Sequence, residues 1–452
     1  MPRMTPTNGS SVLVLGGGIS GLTTAFLLSR RGIRVTVLEA APRVGGAMET
    51  LSDGPWRFEM GPNTVLEGNA DVTALISACG LDGEKITATP SARKRFLWKG
   101  GRLHALPGGP GGFLRTPLFS FGAKLRLLRE PWIPRPGSTE EETPEETIAA
   151  FVRRRLGPEF LDYAVGPFVS GVYAGDPDRL SVRWAVPRIF ALESEHGSLI
   201  RGALAKRKGP QPGGAMISFR EGLDSLPRCL AREIGDVRTG VFCHRVRRSG
   251  DLFVAETGEG PFEAERLVLA VPADVASRLL DELTGGASRL LSEIPYAPVA
   301  VVSLGVRRED VAHPLDGFGF LVPRKEGLNV LGCLFPSTLF PGRAPEGHAA
   351  LVAFVGGRTN PEIVTREDES ICKTVRAELG RALGLRGEPV FHHVRRWPRA
   401  IPQYELGHGR FVARAEEIER SFPGLRFSGN FLRGLSVPDC IRNATVLAAE
   451  IQ

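Results

Sequence analysis

The sequence predicts an α/β fold built around a parallel sheet, and three observations predict it. A stretch of about 30 residues near the start reads as strand, glycine turn, helix and strand. From about residue 237 the hydrophobic spacing changes from a helical period to alternation and short apolar runs, the pattern of strands. With 452 residues, 42% of them hydrophobic and 24% charged, the chain is long enough for two or three domains and a sizeable core.

The elements follow in order. SVLVLG (11–16) is a continuous apolar run, as in a parallel strand covered on both faces. GLTTAFLLSRRG (21–32) is helical and stops at Gly32, and RVTVLE (34–39) is the second strand. EPWIPRPGSTEEETPEET (130–147) is acidic and proline-rich and reads as a connection. Thr143, Pro144 and Glu146 then form a capping box, and Ile148, Phe151, Val152 and Leu156 fall on one helical face before Gly157-Pro158 ends it. KRKGPQPGGA (206–215) reads as a loop. TGVFCHRVRRSGDLFVAETG (239–258) predicts a hairpin and ERLVLAVP a buried strand. PVAVVSLGV, GFGFLVP, NVLGCLF and ALVAFVGG predict further strands, and a last helix is expected over 439–451.

Composition narrows the chemistry. Six cysteines at 79, 229, 243, 333, 372 and 440 form no CxxC pair and no disulfide framework, so reduced thiols are expected. Eight histidines include no HExxH or HxxxH, so no metal site is expected. The polar start MPRMTPTNGSS lacks the apolar region of a signal peptide. Apolar runs such as LVLAVPADVA are about half the ~20 residues that a spanning helix needs. The net charge of +7 is concentrated: residues 93–208 carry 20 Lys or Arg against 12 Asp or Glu. A local basic field of that kind attracts anions, whether nucleic acid, lipid headgroups or carboxylated ligands.

Gly16-x-Gly18-x-x-Gly21 sits between the first strand and the helix, where a dinucleotide loop must sit. The helix start, with Gly17, Ile19 and Ser20 in its loop and first turn, offers amides and a positive dipole to phosphates. Glu39 closes the second strand, placed to accept ribose hydroxyls. Arg43-x-Gly45-Gly46 adds a second phosphate-approach point, which an extended FAD uses and NAD does not need. At the far end, GNFLRGLSVPDCIRNA (429–444) is a glycine turn opening a helix whose amides can face the pyrimidine end of a flavin.

These two signatures resemble the flavin amine oxidase superfamily. Within it, GPFVSGVYAGDPDRLSV (166–182), YAPVAVV, DGFGFLVP, WPRAIPQYELGH (397–408) and the C-terminal turn resemble the protoporphyrinogen oxidases, in order and from about residue 12 to the end. The resemblance implies a Rossmann-like FAD-binding domain (10–90, 216–285 and 395–452). Into it are inserted a helical membrane-associating domain (91–215) at the substrate entrance and a β-sheet substrate domain (286–394). It places FAD on Gly16 to Gly21, Glu39, Ala40, Arg43, Gly45, Gly46, Gly61, Pro62, Asn63, Thr64, Val246, Trp397, Gly429, Gly434, Leu435, Ser436 and Val437. Pro438 departs from the small or Asn residue frequent in the family, so an amide contact there must come from 435–437. For the substrate it implies Arg95 at a propionate, Leu321, Leu334 and Phe354 lining an apolar slot, and Gly175 and Gly319 close to the ring. Pattern alone reads those apolar residues as strand core, and Arg93 and Lys94 compete with Arg95.

The implied reaction is six-electron, FAD-dependent oxidation of protoporphyrinogen IX to protoporphyrin IX, with O2 as acceptor and H2O2 as product. No side chain stands out as an acid or base. The implied setting is cytoplasmic, with peripheral attachment to an anionic membrane surface, hand-off of product to ferrochelatase, and no nucleic acid partner. Coproporphyrinogen III is the alternative substrate. An amine oxidase or carotenoid desaturase is more remote, since four tyrosines leave little for an aromatic cage and a desaturase has no use for Arg95.

Overall fold

The computed structural model describes residues 11–137, 144–206 and 214–451. Its central sheet has five strands in the order Val237–Thr239, Arg34–Glu39, Ser11–Leu15, Arg266–Leu269 and Leu425–Phe427. All four pairings are parallel. The apolar run at Ser11–Leu15 explains its central place, because alternate residues feed different cores. Val12 and Val14 pack with Leu22 and Phe26 of the helix Ile19–Arg30 and with Ile441 of the last helix. Leu13 and Leu15 pack on the opposite face with Ala276, Leu280, Phe411 and Ile418. The predicted hairpin is present as Cys243–Ser249 and Leu252–Thr257, extended by a third strand, Gly260–Ala264.

A second sheet of seven strands runs Phe391–Pro402, Tyr296–Arg307, His348–Gly356, Val330–Leu334, Gly319–Leu321, Phe96–Lys99 and Arg102–Ala105. Its pairings are antiparallel except Gly319–Leu321 with Phe96–Lys99. One face packs on the helix Asp368–Leu383 through Ile371, Val375 and Leu379. Here the structure departs from the expected boundaries. Residues 96–105 were expected in the helical unit but are two strands of this sheet, and Phe391–Pro402 runs through the boundary at 394.

The helices of 110–132 and 148–206 share a separate apolar core around Phe151, Phe160, Leu180 and Phe190. The helix expected from the capping box at Thr143 begins later, at Ile148, with Thr147 as its cap accepting from the Ala150 amide at 3.1 Å. Residues 146–148 are held extended by Leu180 and Val182, whose backbone they bond, and Thr143 lies outside the described residues. Gly157 then ends the helix at φ +95°. The last helix is Val437–Glu450, capped by Ser436, two residues ahead of expectation.

A buried ionic knot fixes this helical unit. Arg155 is fully buried and pairs with Glu193 and with Glu130, which also accepts from the Leu199 and Ile200 amides and the Ser198 hydroxyl. Burial alone would raise the Glu193 carboxyl, but hydrogen bonds from Arg154 and Arg155 outweigh it and hold it below its ordinary range. Removing the one cation that both carboxylates share leaves them buried and underpaired. Arg155→Ala should therefore cost about 3–5 kcal/mol, read as a shift of the denaturant midpoint, whereas an exposed control such as Arg201→Ala should cost almost nothing.

Candidate active site

The cofactor cleft lies at the carboxyl ends of the parallel strands, where such sheets bind ligands. The helix Ile19–Arg30 starts at Gly18, and no side chain caps it. Its first-turn amides therefore remain to be satisfied, as at an anion site. Gly16 has φ +107°, and a Cβ there would lie 2.4 Å from the Ala270 carbonyl oxygen, so only glycine lets the strand turn this tightly. A Cβ on Gly18 would meet no protein atom within 4 Å, so nothing in the protein requires glycine there. That open cradle is what a pyrophosphate needs.

Glu39 ends the second strand with its carboxylate held by the Gly17 and Ala41 amides, both at 2.7 Å. Two amides fix its orientation and leave lone pairs to accept hydroxyls. Ala40 follows it, and the Val241 amide bonds the Glu39 carbonyl, which leads the chain toward buried Val246 beneath the same sheet. Gly45 bridges back onto Gly18, its amide 2.8 Å from the Gly17 carbonyl, so both glycine loops flank one groove. Arg43 braces the second loop by bonding the Gly46 carbonyl at 2.8 Å and the Glu49 carboxylate at 2.7 Å.

The segment Gly61, Pro62, Asn63 and Thr64 follows Met60, whose carbonyl accepts from Trp397 Nε1 at 2.6 Å. Asn63 folds back on the Gly61 carbonyl at 2.9 Å. The C-terminal turn brings Gly429 and Gly434, at φ +126° and +75°, to the helix Val437–Glu450. That helix packs against Ile19–Arg30, with Ile441 in the same core cluster as Leu22 and Phe26. The amides of Leu435, Ser436 and Val437 donate to no protein group among the described residues. The elements expected to hold FAD thus converge from four stretches of chain, and the unspent donors fit a phosphate at one end and a flavin's acceptor edge at the other.

The substrate face is read from strand register, because directly opposed residues share a face. Leu97 opposes Leu321, Leu321 opposes Gly332, and Gly319 opposes Leu334. Gly332 opposes Phe354, Phe354 opposes Val301, and Val299 opposes Trp397. One face of the seven-stranded sheet therefore runs from Leu97 through Leu321, Leu334 and Phe354 to Trp397. Ala174, left-handed at φ +47°, packs on it with Phe354 and Trp397, and Gly175 follows. A Cβ on Gly171 would lie 2.3 Å from Leu321, so the helix Gly166–Tyr173 lies directly on this face.

Arg95 precedes Phe96–Lys99 at the far end of the face. Its side chain is exposed, lies 5.2 Å over the Phe318 ring and pairs with no carboxylate among the described residues. Lys94 is neutralised by Asp316. The arrangement is an apolar face with an uncompensated cation at one end and the cofactor cleft at the other.

Sequence reasoning passed over Tyr404 and His408, although both lie in the run that supplied Trp397. Tyr404 bonds the Asn430 carbonyl at 2.5 Å and His408 Nε2 bonds the Leu432 carbonyl at 2.9 Å. Burial pushes the His408 imidazole down to about 4, so it is neutral. A Tyr and a His spaced by four in a connection without periodicity carry no pattern; their burial is the only signal.

Comparison with known proteins agrees with this geometry. The chain belongs to the flavin-containing amine oxidoreductase family, whose model matches residues 19–452. Within that family it stands with the protoporphyrinogen oxidases: it is 34% identical over 473 residues to protoporphyrinogen oxidase 1 of spinach chloroplasts, covering 97% of this chain and 83% of that one. It is 28% identical to the coproporphyrinogen III oxidase of Bacillus subtilis strain 168, over 95% of both chains. A crystal structure from Exiguobacterium sp. 255-15, provisionally assigned as a protoporphyrinogen oxidase, superposes with a TM-score of 0.83 at 26% identity, over 98% of both chains. FAD is accordingly the cofactor of the cleft, and the protein is an FAD-dependent oxidoreductase.

The two glycines separate folding from cofactor binding. Gly18→Ala should change the stability of the cofactor-free protein by less than about 1 kcal/mol while weakening FAD at least roughly tenfold, by crowding the phosphates. Gly16→Ala should disturb both. Thermal melting of the apoprotein and titration with FAD followed by flavin fluorescence distinguish them.

Proposed function

We propose that the protein oxidises protoporphyrinogen IX to protoporphyrin IX, and the observation that carries the reading is the single sheet face joining Arg95 to Trp397. A porphyrinogen is a broad apolar ring with propionates along one edge, and it calls for an apolar slot with a cation at its rim. Leu321, Leu334 and Phe354 supply the wall, whereas a Cβ on Gly175 would run into Leu180 and Gln403 and one on Gly319 into the Cys333 carbonyl, so both glycines serve the packing behind the wall. Arg95 takes a propionate and so decides which carbons of the ring are presented toward the cleft. The bound FAD accepts two electrons per round, and three rounds with three molecules of O2 yield the porphyrin and three of H2O2.

What the protein contributes is orientation and dryness. Trp397, tied to the Met60 carbonyl, closes the cleft end of the face. The helix Gly166–Tyr173 covers it from above. Arg395, which shares this face and lies 4.4 Å over the Trp397 ring, is held by Glu49, and no acid or base is required of the face, because the pyrrole N–H groups can release the protons. Coproporphyrinogen III carries two further propionates; Lys94 is taken by Asp316, while Arg93 and Arg95 are exposed with no carboxylate partner among the described residues, so the rates with the two substrates decide between them.

The test is anaerobic mixing of the yellow protein with each porphyrinogen. Flavin bleaching should be faster with protoporphyrinogen, and porphyrin fluorescence should appear when O2 is admitted; no bleaching with either would end the reading. Arg95→Leu should raise KM by roughly 10- to 100-fold, the worth of one charge-assisted hydrogen bond, with kcat within a few-fold of the native enzyme.

The same proposal places the protein on an anionic membrane surface. The helices Pro110–Arg115 and Phe121–Leu128 and the turn Glu130–Trp132 expose Leu114, Phe121, Leu128 and Trp132 at 65–76%. Arg115, Lys124 and Arg129 lie among them. Contiguous apolar side chains edged by cations suit an interfacial anchor. Among the described residues no helix is long and apolar enough to cross a membrane. Attachment from the cytoplasmic side would keep an apolar product near the partner that consumes it, ferrochelatase. Phe121→Ser with Trp132→Ser should lower co-sedimentation with phosphatidylglycerol-containing vesicles at least roughly tenfold and leave turnover in detergent unchanged.

A further inference from the structure

The turn of residues 429–436 is held from beneath by two side chains of a different element. Tyr404 donates its hydroxyl to the Asn430 carbonyl, and His408 donates Nε2–H to the Leu432 carbonyl. Their rings stack at 4.2 Å with 30° between planes, and Trp184 and Phe411 close the pair from two other directions. Both are buried, at 2% and 0% exposure. His408 Nδ1 has no hydrogen-bond partner among the described residues, and a carbonyl can only accept, so the proton of the neutral ring sits on Nε2. Asn443 draws the Arg433 carbonyl the same way, at 2.9 Å. Three successive constraints thus turn the carbonyls of 430, 432 and 433 into the protein. The amides of Leu435, Ser436 and Val437, just beyond Gly434, are left with no protein acceptor among the described residues.

We propose that Tyr404 and His408 are positioning residues for the flavin. By anchoring the Asn430 and Leu432 carbonyls they aim the amides of 435–437 at the cofactor's pyrimidine edge and so favour its reduced, negatively charged form. The proposal rests on the reading that this turn receives that end of FAD. Neither side chain touches substrate or cofactor, and each acts only through the backbone it holds. The geometry is specific to the donor atoms: the tyrosine ring could stack without its hydroxyl, but only the hydroxyl reaches Asn430. A donor at the position of Nε2 is needed at 408, whereas an aromatic ring of the same size would fill the space and leave Leu432 unbonded.

The experiment uses the purified holoenzyme and three variants, Tyr404→Phe, His408→Phe and His408→Gln. For each, the FAD dissociation constant, the oxidised-to-reduced flavin equilibrium against a reference dye, and the melting temperature are measured. Tyr404→Phe and His408→Phe should each weaken FAD by roughly fivefold, the worth of one hydrogen bond. They should also shift the redox equilibrium by roughly the same factor toward oxidised flavin. His408→Gln, whose amide can place N–H where Nε2 stood, should recover most of both. Native FAD affinity and a native redox equilibrium in Tyr404→Phe and His408→Phe would overturn the proposal, as would a lower melting temperature with both unchanged. If His408→Phe does not fold, Tyr404→Phe alone decides, since it removes one oxygen. A wild-type protein that binds no FAD would instead sink the cofactor reading, so the two failures are distinguishable.

Discussion

The structure depends on the meeting of two helix N-termini, one from each end of the chain. Each carries about half a positive charge from its unsatisfied amides, and the helices Ile19–Arg30 and Val437–Glu450 pack against one another. Two like dipole ends repel, and among the described residues each is offset only by a carboxylate on its own side. Ser436 and Asp439 cap only the second helix, and Glu39 faces the loop of the first. The arrangement is held by apolar packing along both helices, through Leu22, Phe26, Ile441 and Leu447. A bound diphosphate relieves the repulsion, so the same feature that costs the apoprotein stability selects an anionic cofactor.

The chain order makes this meeting possible and places the substrate face beside it. Gly16, Glu39, Ala270 and Gly429 all follow or end parallel strands on the same side of the five-stranded sheet. From that side the chain enters helices after Gly16 and Gly429 and leads on toward the seven-stranded sheet after Glu39 and Ala270, and the segments 43–64, 397–408 and 429–437 are tied together by the Trp397–Met60 and Tyr404–Asn430 hydrogen bonds. The segment 403–408 shows the economy of this. Gln403 bonds the Tyr173 carbonyl, Tyr404 accepts from the Ser181 amide, and Tyr404 and His408 hold the C-terminal turn. One short run therefore ties the helix Gly166–Tyr173 to the C-terminal turn.

What was legible in the sequence was whatever has a local cause. The glycine loop, the buried parallel strands and the acid at the end of the second strand follow from conformational freedom and from burial on both faces, which leave marks at fixed spacing. The strands Phe96–Lys99 and Arg102–Ala105 were not legible as part of the distant sheet, because the sequence FLWKGGRLHA marks a hairpin and says nothing of its partner. The helix start at Ile148 was misjudged for a related reason. A capping box at Thr143 is locally sound, but the backbone of Leu180 and Val182 holds residues 146–148 extended, and tertiary hydrogen bonds outrank one cap. The apolar slot residues needed the family resemblance, since Leu321, Leu334 and Phe354 have the same pattern as any strand core.

Charge shows how far a sequence count stands from a field. The surplus of cations in 93–208 includes Arg153, Arg154, Arg155 and Arg179, every one of which is paired with a carboxylate, Arg155 at complete burial. Each of these structural charges is matched by a carboxylate and so adds little to the basic field. Among the described residues, exposed cations with no carboxylate partner include Arg188 and Arg201 and, in two further places, those on the exposed helices of 110–132 and at the rim around Arg93 and Arg95. The last two places are neighbours: the hairpin that carries Arg95 leads directly into the exposed helices, and Lys99 of that hairpin bonds the Leu118 carbonyl between them at 2.7 Å. If those helices face a membrane as proposed, a substrate too apolar to dissolve in water would meet cations first there and next at Arg95, which would hold its propionates at the rim with the ring toward Trp397. On the proposed reading, the unpaired cations of these two places mark the route that the substrate takes.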